Sequence, residues 1–340
     1  MRLQHPQWQS NVTLAQRGFA LILVLWILSL LTIMAGSFAL SIRRESSIIS
    51  GLKNNTQAAA VAESGIAIAE LMLLNRDQAK RWQANGSIYP IDDSEALGSE
   101  NAQVRVRLWS ETGKIDINKA DQKLLATLMA NSPIQDEQQQ LKLVGAILDW
   151  RDEDDLINIE GAEKKDYQQA GLTYQPRNKP FQTLTELQLV LGMNETIYQW
   201  LIPLVTVYSG RPNVNVQLAA KEVLQVLPDA DLDLINDFVV ARLESMMKGL
   251  PAPPSPFSIK QNAVGATATK LGQGDALTIV SEALLDDGSS AVIKAVIKAG
   301  GAKQPFQVLE WQRNTTSEDS LFSETIGASA ISELLVNPIK

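Results

Sequence analysis

The sequence predicts an α+β protein. It has a long N-terminal membrane-spanning helix, an antiparallel sheet, and a large all-helical domain inserted into that sheet. An apolar run without charges fills residues 19–42, and helical spacing of apolar residues dominates the middle of the chain. A strand pattern occurs at Val104–Leu108 and returns near residues 276–312. Because the first strand is far from the others, we expect the helical segment to interrupt one sheet.

The apolar run from Phe19 to Ile42 is long enough to cross a membrane. As a helix rising 1.5 Å per residue it would reach about 36 Å, against about 30 Å of hydrocarbon. Alanine and aliphatic residues continue the helical pattern beyond it. We therefore expect one helix from about Phe19 to about Leu74.

Three interpretations of this N-terminus compete. A secretory signal peptide has a shorter apolar region followed by small residues, whereas residues 43–45 here are all charged. A plain signal anchor would be poorly oriented, because arginines flank both ends. A prepilin leader is cut before the apolar segment, and Arg17-Gly18-Phe19 after a short polar stretch matches that form. We favour cleavage after Gly18, which makes Phe19 the new N-terminus, with the uncut anchor as the alternative.

The composition argues against an enzyme and against a nucleic-acid binder. The 340 residues include no cysteine, and the one histidine, His5, lies in the proposed leader. The mature chain would lack the commonest general base and the usual zinc ligands. The formal net charge of −8 offers no basic groove for nucleic acid.

The helical middle of the chain contains a short internal repeat, whose two copies we call the echoing segments. Residues 115–120 (IDINKA) and 214–219 (VNVQLA) each precede a segment with apolar residues at helical spacing. They predict two small helical modules of related build, with Asn118 as the cap of the first helix. Further helices are expected at Gln138–Trp150, Thr183–Leu191, Glu195–Leu201 and Asp231–Met247. We expect a loop at 82–100, a proline-rich linker at 250–258, and strands at Ala276–Leu284, Ala291–Ile297 and Phe306–Gln312.

Acidic residues crowd the segment 149–166. Five acids fall within residues 149–155, and Glu160, Glu163 and Asp166 follow. Crowded carboxylates can supply the oxygen ligands of a hard cation such as Ca²⁺, although the spacing is not that of an EF-hand. A solvated loop, with its charge offset by nearby Arg and Lys, is the alternative. Paired carboxylates could also hydrolyse glycosides, but no aromatic-lined cleft is evident around them.

The chain resembles the minor pseudopilins of the general secretion pathway protein K family, which belong to type II secretion systems. The resemblance covers nearly the whole chain and follows the family's order. Its segments are RGFALILVLWILSLLTIMAGSFALSIRRE, AVAESGIAIAELML, GKIDINKA, ILDWRDEDDLINIEGAEKKDY, FQTLTELQLVLGM and RPNVNVQLAAKEVLQVLP. The long DWRDEDD…GAE…Y signature is the specific part, because the leader alone indicates only a pilin-like protein.

The resemblance implies a pseudopilin-type sheet with inserted SAM-like helical modules. The expected parts are a removed leader (1–18), a transmembrane helix (19–42) and the first part of the pseudopilin domain (43–112). The first SAM-like module (113–210), the second with its linker (211–258) and the rest of the pseudopilin domain with a tail (259–340) follow. Prepilin peptidase would cut between Gly18 and Phe19, and Phe19 would then be methylated. The protein would cross the inner membrane once, with its bulk in the periplasm.

The resemblance also implies partners and a position. The protein would join the minor pseudopilins I and J and other pseudopilins at the tip of the pseudopilus, with secreted substrates as further contacts. Other pilins carry Glu as the fifth mature residue, whereas this chain has Leu23. A buried carboxylate in a membrane needs a cation, which a neighbouring subunit's N-terminal amine supplies. A subunit at the tip has no neighbour above it, so Leu23 is what an initiating or capping subunit could carry.

The resemblance further favours Ca²⁺ at the acidic segment. The predicted metal ligands are Asp152, Asp154, Asp155, Glu160 and Glu163. An alternative function is a membrane-anchored periplasmic binding protein of the helix-hairpin-helix kind. Binders of that kind need Lys or Arg around a Gly-rich hairpin. The second module here instead reads LPDADLDLIND, which is acidic.

Overall fold

The computed structural model describes residues 16–77, 80–91, 94–99, 102–248, 250, 252–257, 272–301, 304–313 and 320–323. The helices are α1 (Gln16–Leu73), α2 (Ser94–Leu97), α3 (Gln122–Ala130), α4 (Glu137–Arg151), α5 (Lys164–Gln169), α6 (Glu195–Leu201), α7 (Lys221–Gln225) and α8 (Leu232–Met247). The strands are β1 (Asn85–Ile91), β2 (Ala102–Ser110), β3 (Ile115–Asp116), β4 (Val205–Thr206), β5 (Ala276–Leu285), β6 (Ser290–Gly301) and β7 (Gln304–Arg313). The chain divides into two compact units, one ending at Thr56 and the other beginning at Gln57.

The second unit is built on a five-stranded sheet against which the end of α1 packs. The strand order is β1-β2-β5-β6-β7, and every neighbouring pair is antiparallel. From Ala58 to Leu73, every third or fourth residue of α1 faces the sheet, as an amphipathic helix requires. The buried side chains on that face are Ala58, Val61, Ala62, Ile66, Ala69 and Leu73. The expected α+β architecture, with a long apolar helix and an antiparallel sheet, is confirmed.

The helical segment lies between two strands that pair directly with each other. β2 and β5 are in register from Ala102↔Leu285 to Ser110↔Leu277, although β3, β4 and six helices separate them in the chain. The segment has its own apolar core, distinct from the core between α1 and the sheet. Two of its helix pairs, α3–α4 and α7–α8, follow the two echoing segments found in the sequence.

The structure differs from the sequence-based expectations in several places, and helices α2 and α5 are among the elements that were not expected. Residues 85–91 form strand β1 rather than a loop, and Pro90 is accommodated because β1 is an edge strand. The helix expected near 183–191 is a 3₁₀ turn at Leu184–Leu189. The cap of α3 is Asp121, whose side chain accepts a hydrogen bond of 2.8 Å from the Leu124 N–H. Asn118 instead exchanges two hydrogen bonds with the backbone of Phe181.

Candidate functional site

The first candidate feature is the apolar N-terminal part of α1. It is the one helix among the described residues that is long and apolar enough to cross a membrane. Two of its hydroxyl groups are satisfied within the helix. The Thr32 hydroxyl donates to the Leu28 carbonyl at 2.8 Å, and the Ser37 hydroxyl donates to Met34 at 2.9 Å. Such internal hydrogen bonds lower the cost of a hydroxyl in hydrocarbon.

The predicted processing residues lie at the start of this helix. α1 begins at Gln16, so Gly18 and Phe19 are in its first turn, and residues 1–15 lie outside the described residues. Leu23 follows one turn after Phe19 and is exposed, as is Phe19 itself. The predicted cleavage after Gly18 stays a prediction at this point.

The second candidate feature is the acidic loop, residues 152–163, which joins α4 to α5. Asp152 ends α4 because its backbone is extended, with φ −77° and ψ 169°. Just before it, the Arg151 guanidinium donates to the carbonyl oxygens of Ile117 and Ala120, the latter at 2.5 Å. These contacts fix the C-terminal end of α4 against the segment that precedes α3, so the loop starts from a rigid point.

Asp149, on the last turn of α4, lies at the base of the acidic loop and is fully buried. Its Oδ1 accepts hydrogen bonds from the Asn158 backbone N–H at 3.0 Å and from the Asn158 side chain at 2.5 Å. The same Asn158 amide donates to Asp152 Oδ2 at 3.0 Å. Asn158 therefore folds the loop back over the end of α4 and holds two carboxylates together.

Two glycines permit this close approach of the loop to α4. A Cβ on Gly145 would lie 2.6 Å from the backbone nitrogen of Gly161. A Cβ on Gly161 would lie 2.0 Å from Asp149 Oδ2. Real Cβ atoms do not approach other atoms so closely, so both positions require glycine in this arrangement.

Glu163 closes the acidic loop and is also buried. Its backbone N–H donates to Asp166 Oδ2 at 2.9 Å at the start of α5. Burial, and then repulsion by Asp149 and Asp152, raises the pKa of Glu163 to about 7. Burial and the neighbouring Asp149 also raise the pKa of Asp152, against the hydrogen bond from Asn158.

Three oxygens in this cluster are buried without a hydrogen-bond partner: Asp149 Oδ2, Asp152 Oδ1 and Glu163 Oε1. Buried polar atoms are nearly always paired, so three orphaned carboxylate oxygens in one cluster need an explanation. Across the described ranges, however, no three His, Cys, Asp or Glu side chains are arranged to hold a metal ion as they stand. A cation would have to draw these carboxylates closer together.

The structure distributes the predicted metal ligands over two environments. Glu163, which is buried, and Asp152, which is half-buried, lie beside Asp149, whereas Asp154, Asp155 and Glu160 are exposed. Asp154 Oδ1 accepts a hydrogen bond from the Leu156 N–H at 2.9 Å. Asp155 Oδ1 accepts one from the Asn178 side chain at 2.8 Å. Glu160 has a left-handed backbone, with φ 59°.

The sequence-based ligand set omits Asp149. One sequence signal could have found it. The small residues Gly145 and Ala146 precede Asp149 by one helical turn, so all three share one face of the predicted helix, and the structure buries that face. An acid on the buried face of a helix is rarely a solvated charge. Its position beside the buried Trp150 points the same way.

Comparisons with known proteins give one consistent result. The family model for type II secretion system protein K matches residues 101–210. The type II secretion system protein K of Klebsiella pneumoniae is 28% identical over 242 residues, which are 65% of this chain and 73% of that protein. The protein of the same name from Pseudomonas aeruginosa is 29% identical over 252 residues, which are 67% of this chain and 72% of that one.

A solved structure is also similar to this chain. It is a chain of the GspK–GspI–GspJ complex of the type 2 secretion system of enterotoxigenic Escherichia coli. The identity is 16% and the TM-score 0.48, over 81% of this chain and 99% of that chain.

Proposed function

Because this chain belongs to the type II secretion system protein K family, we propose that it is the minor pseudopilin at the tip of the pseudopilus. In this position it would initiate or cap the assembly that drives protein export across the outer membrane. It would act by packing against other subunits of the pseudopilus, and no catalytic residue would be needed. The observation that carries the proposal is α1, in which an uncharged apolar stretch at 19–42 is followed, from Ala58 on, by residues that pack on an antiparallel sheet.

The position at the tip rests on Leu23. A carboxylate in a membrane is costly unless it meets a cation, and a subunit inside a filament can find one on its neighbour. Leu23 carries no charge and needs no such partner. A subunit with leucine here can therefore stand above the others without leaving a carboxylate unpaired in the membrane.

Processing and location complete the proposal. Prepilin peptidase would cut between Gly18 and Phe19, and the new N-terminal amine would be methylated. The apolar part of α1 would cross the inner membrane once, and the rest of the chain would lie in the periplasm. The partners would be the minor pseudopilins I and J together with other pseudopilins.

The deciding experiment is mass analysis of the N-terminus of the protein extracted from membranes. We expect a chain that begins with methylated Phe19. A chain that begins at Met1, or past Ser41, would contradict the proposal.

A Leu23→Glu variant should assemble poorly at the tip and reduce secretion, while a Leu23→Ile variant should secrete normally. Equal secretion by both variants would remove the argument from Leu23.

We further propose that the acidic loop and the end of α4 bind Ca²⁺. The support is the cluster of orphaned oxygens on Asp149, Asp152 and Glu163, since Ca²⁺ takes oxygen ligands in flexible geometry. The cation would offset the mutual repulsion of these three carboxylates and tie the acidic loop to α4. Asp154, Asp155 and Glu160 would stay at the exposed side of the loop, where the sequence also predicts ligands.

Calorimetry of the full-length protein, stripped with a chelator and titrated with CaCl₂, tests this cation. We expect heat on binding and a rise in melting temperature. An Asp149→Asn variant should lose most of both, and Glu137→Gln, an exposed acid at the start of α4, should change neither. Absence of heat and of any shift in the stripped wild-type protein would remove the proposal and leave the solvated loop.

A further inference from the structure

The acidic loop presents three large aliphatic side chains to solvent. Leu156 is 74% exposed, Ile157 is 59% exposed and Ile159 is 78% exposed. We call these three residues the apolar tip. Single exposed aliphatic residues are ordinary, but three within four positions form a patch of the kind that marks an interaction site.

The exposure of the apolar tip is fixed by the loop around it. The Leu156 N–H is bonded to Asp154, and the Asn158 N–H is bonded to the buried Asp149. The Gly161 N–H donates to the Asn158 carbonyl at 2.9 Å, which closes the loop. Since Asn158 points inward to Asp149 and Asp152, its neighbours Ile157 and Ile159 are turned outward. The tip is therefore displayed by a hydrogen-bonded loop.

The charge around the apolar tip is strongly negative. Residues 152–163 contain six acids and no Lys or Arg. Across the loop, the Asn178 side chain donates to the Asp154 carbonyl and to Asp155, and the next residue, Lys179, is exposed. Arg151, Lys164 and Lys165 flank the loop, so four cations oppose the eight acids of residues 149–166. The balance stays negative even if a divalent cation also binds in the buried cluster. An anionic lipid surface would be repelled by such a rim, whereas a basic protein surface would be attracted.

We propose that the apolar tip is a docking surface for a partner protein that offers an apolar pocket ringed by Lys and Arg side chains. The three aliphatic residues would enter the pocket, and the surrounding acids, of which Glu153 has an exposed side chain, would pair with the ring. Central apolar anchors inside a charged rim are the usual composition of a protein interface. This inference goes beyond the role at the pseudopilus tip, because it concerns a loop of the inserted helical segment and not the anchor helix.

The first test places a photo-crosslinking amino acid at Ile159 of the full-length protein, in cells that contain the whole secretion system. The matched control has the same amino acid at Leu141, which is on α4 and 41% exposed. We expect one discrete protein adduct from position 159 that is absent from position 141. The crosslinked peptide of that protein should contain apolar residues and Lys or Arg. Adducts with lipid alone, or equal adducts from both positions, would overturn the inference.

The second test uses the protein identified by crosslinking, purified, in binding measurements with the full-length chain. Leu156→Asn combined with Ile159→Asn should weaken binding at least about ten-fold, since burial of one aliphatic side chain commonly contributes about that factor. Leu141→Asn should leave the dissociation constant within about two-fold of the wild-type value.

Glu153→Lys should weaken binding and Glu137→Lys should not, and the difference between these two variants should shrink at high salt. Unchanged binding by the double variant at an unchanged melting temperature would contradict the docking surface. A correct N-terminus together with that result would leave the proposed function intact.

Discussion

Arg151 and Arg242 make the same contact in two different places. The Arg151 guanidinium donates to the carbonyls of Ile117 and Ala120, and Arg242 donates to those of Val216 and Ala219, each at 2.9 Å. The two pairs of carbonyls occupy matching positions in the echoing segments 115–120 and 214–219. Each arginine belongs to the second helix of its pair, α4 or α8. The repeat therefore extends from the sequence pattern to the hydrogen bonds that hold each helix pair to the segment before it.

The contact of Arg242 should contribute strongly to stability. Arg242→Met keeps an unbranched apolar stem and leaves two carbonyls without their charged donor. Burial lowers the pKa of Arg242 to about 10, which indicates how little water would replace that donor. We expect a loss of about 2–4 kcal/mol of unfolding free energy, because unpaired buried groups each cost about 1–3 kcal/mol.

Chemical denaturation of the full-length protein measures this loss. The control is Arg313→Met, since Arg313 is largely exposed and its ion pair with Glu63 is on the surface. An exposed pair contributes at most about 1 kcal/mol. Equal losses in the two variants would show that Arg242 does not hold the second helix pair.

Glu111 joins the sheet to the inserted helical segment. It follows β2, accepts a hydrogen bond of 2.6 Å from Thr278 on β5, and also accepts one from Thr206 on β4. The ammonium of Lys114 lies 2.8 Å from its carboxylate. Burial by itself would raise the pKa of Glu111, but the attraction of Lys114 and the three hydrogen bonds outweigh it, so the pKa lies below its ordinary value.

The lowered pKa of Glu111 predicts a loss of stability in acid. In the unfolded chain this carboxyl takes up a proton near pH 4.5, and in the folded protein only at lower pH. The stabilisation is therefore complete above about pH 4.5 and disappears as the pH falls through the folded pKa. Glu111→Gln should lose about 1–3 kcal/mol at neutral pH and should flatten the acid side of the pH profile.

Unfolding curves between pH 3 and 7 test this prediction. Glu137→Gln is the matched control, because Glu137 is exposed. A Glu111→Gln profile parallel to that of the wild-type protein would contradict the assigned role of this carboxylate.

The sequence predicts the parts of the fold that depend on local patterns. α1 is predicted by composition and spacing, β2 by alternation of apolar and charged residues, and β5 and β6 by the turn at residues 286–289 between them. β1 is not predictable in this way, because its turn-forming residues are tolerated only at the edge of a sheet formed with distant strands. The buried acid Asp149 was missed for a similar reason. Asp149 is buried and hydrogen-bonded only because the acidic loop folds back and brings the Asn158 N–H to its carboxylate.

The close contact between α4 and the acidic loop predicts unequal effects of the same substitution in two helices. Gly145→Ala would place a methyl group 2.6 Å from the backbone of Gly161, whereas Gly51→Ala in α1 meets nothing within 4 Å. We expect Gly145→Ala to cost about 1–3 kcal/mol, as overpacking does. Gly51→Ala should cause no loss, because alanine favours helix over glycine by about 1 kcal/mol. The melting temperatures of the two variants check this. Equal melting temperatures would mean that the loop can move away from α4.

The last prediction concerns the crossing of α1 over the sheet at Gly65. A Cβ there would lie 2.2 Å from the Ser281 hydroxyl and 2.8 Å from a methyl group of Val104. The Ser281 hydroxyl is buried without a hydrogen-bond partner. Gly65→Ala alone should therefore destabilise the protein by about 1–3 kcal/mol through overpacking. Ser281→Ala alone should be neutral or stabilising, because it removes an unpaired buried group.

The double variant separates this steric explanation from a general weakness of α1. In Gly65→Ala with Ser281→Ala, the new methyl group takes much of the space that the hydroxyl leaves. We therefore expect the double variant to recover at least about 1 kcal/mol relative to the sum of the single effects, a coupling typical of residues in contact. Denaturation of the four proteins in one cycle measures it. Strict additivity would show that the helix and the sheet separate slightly instead of clashing, and that Gly65 does not set their distance.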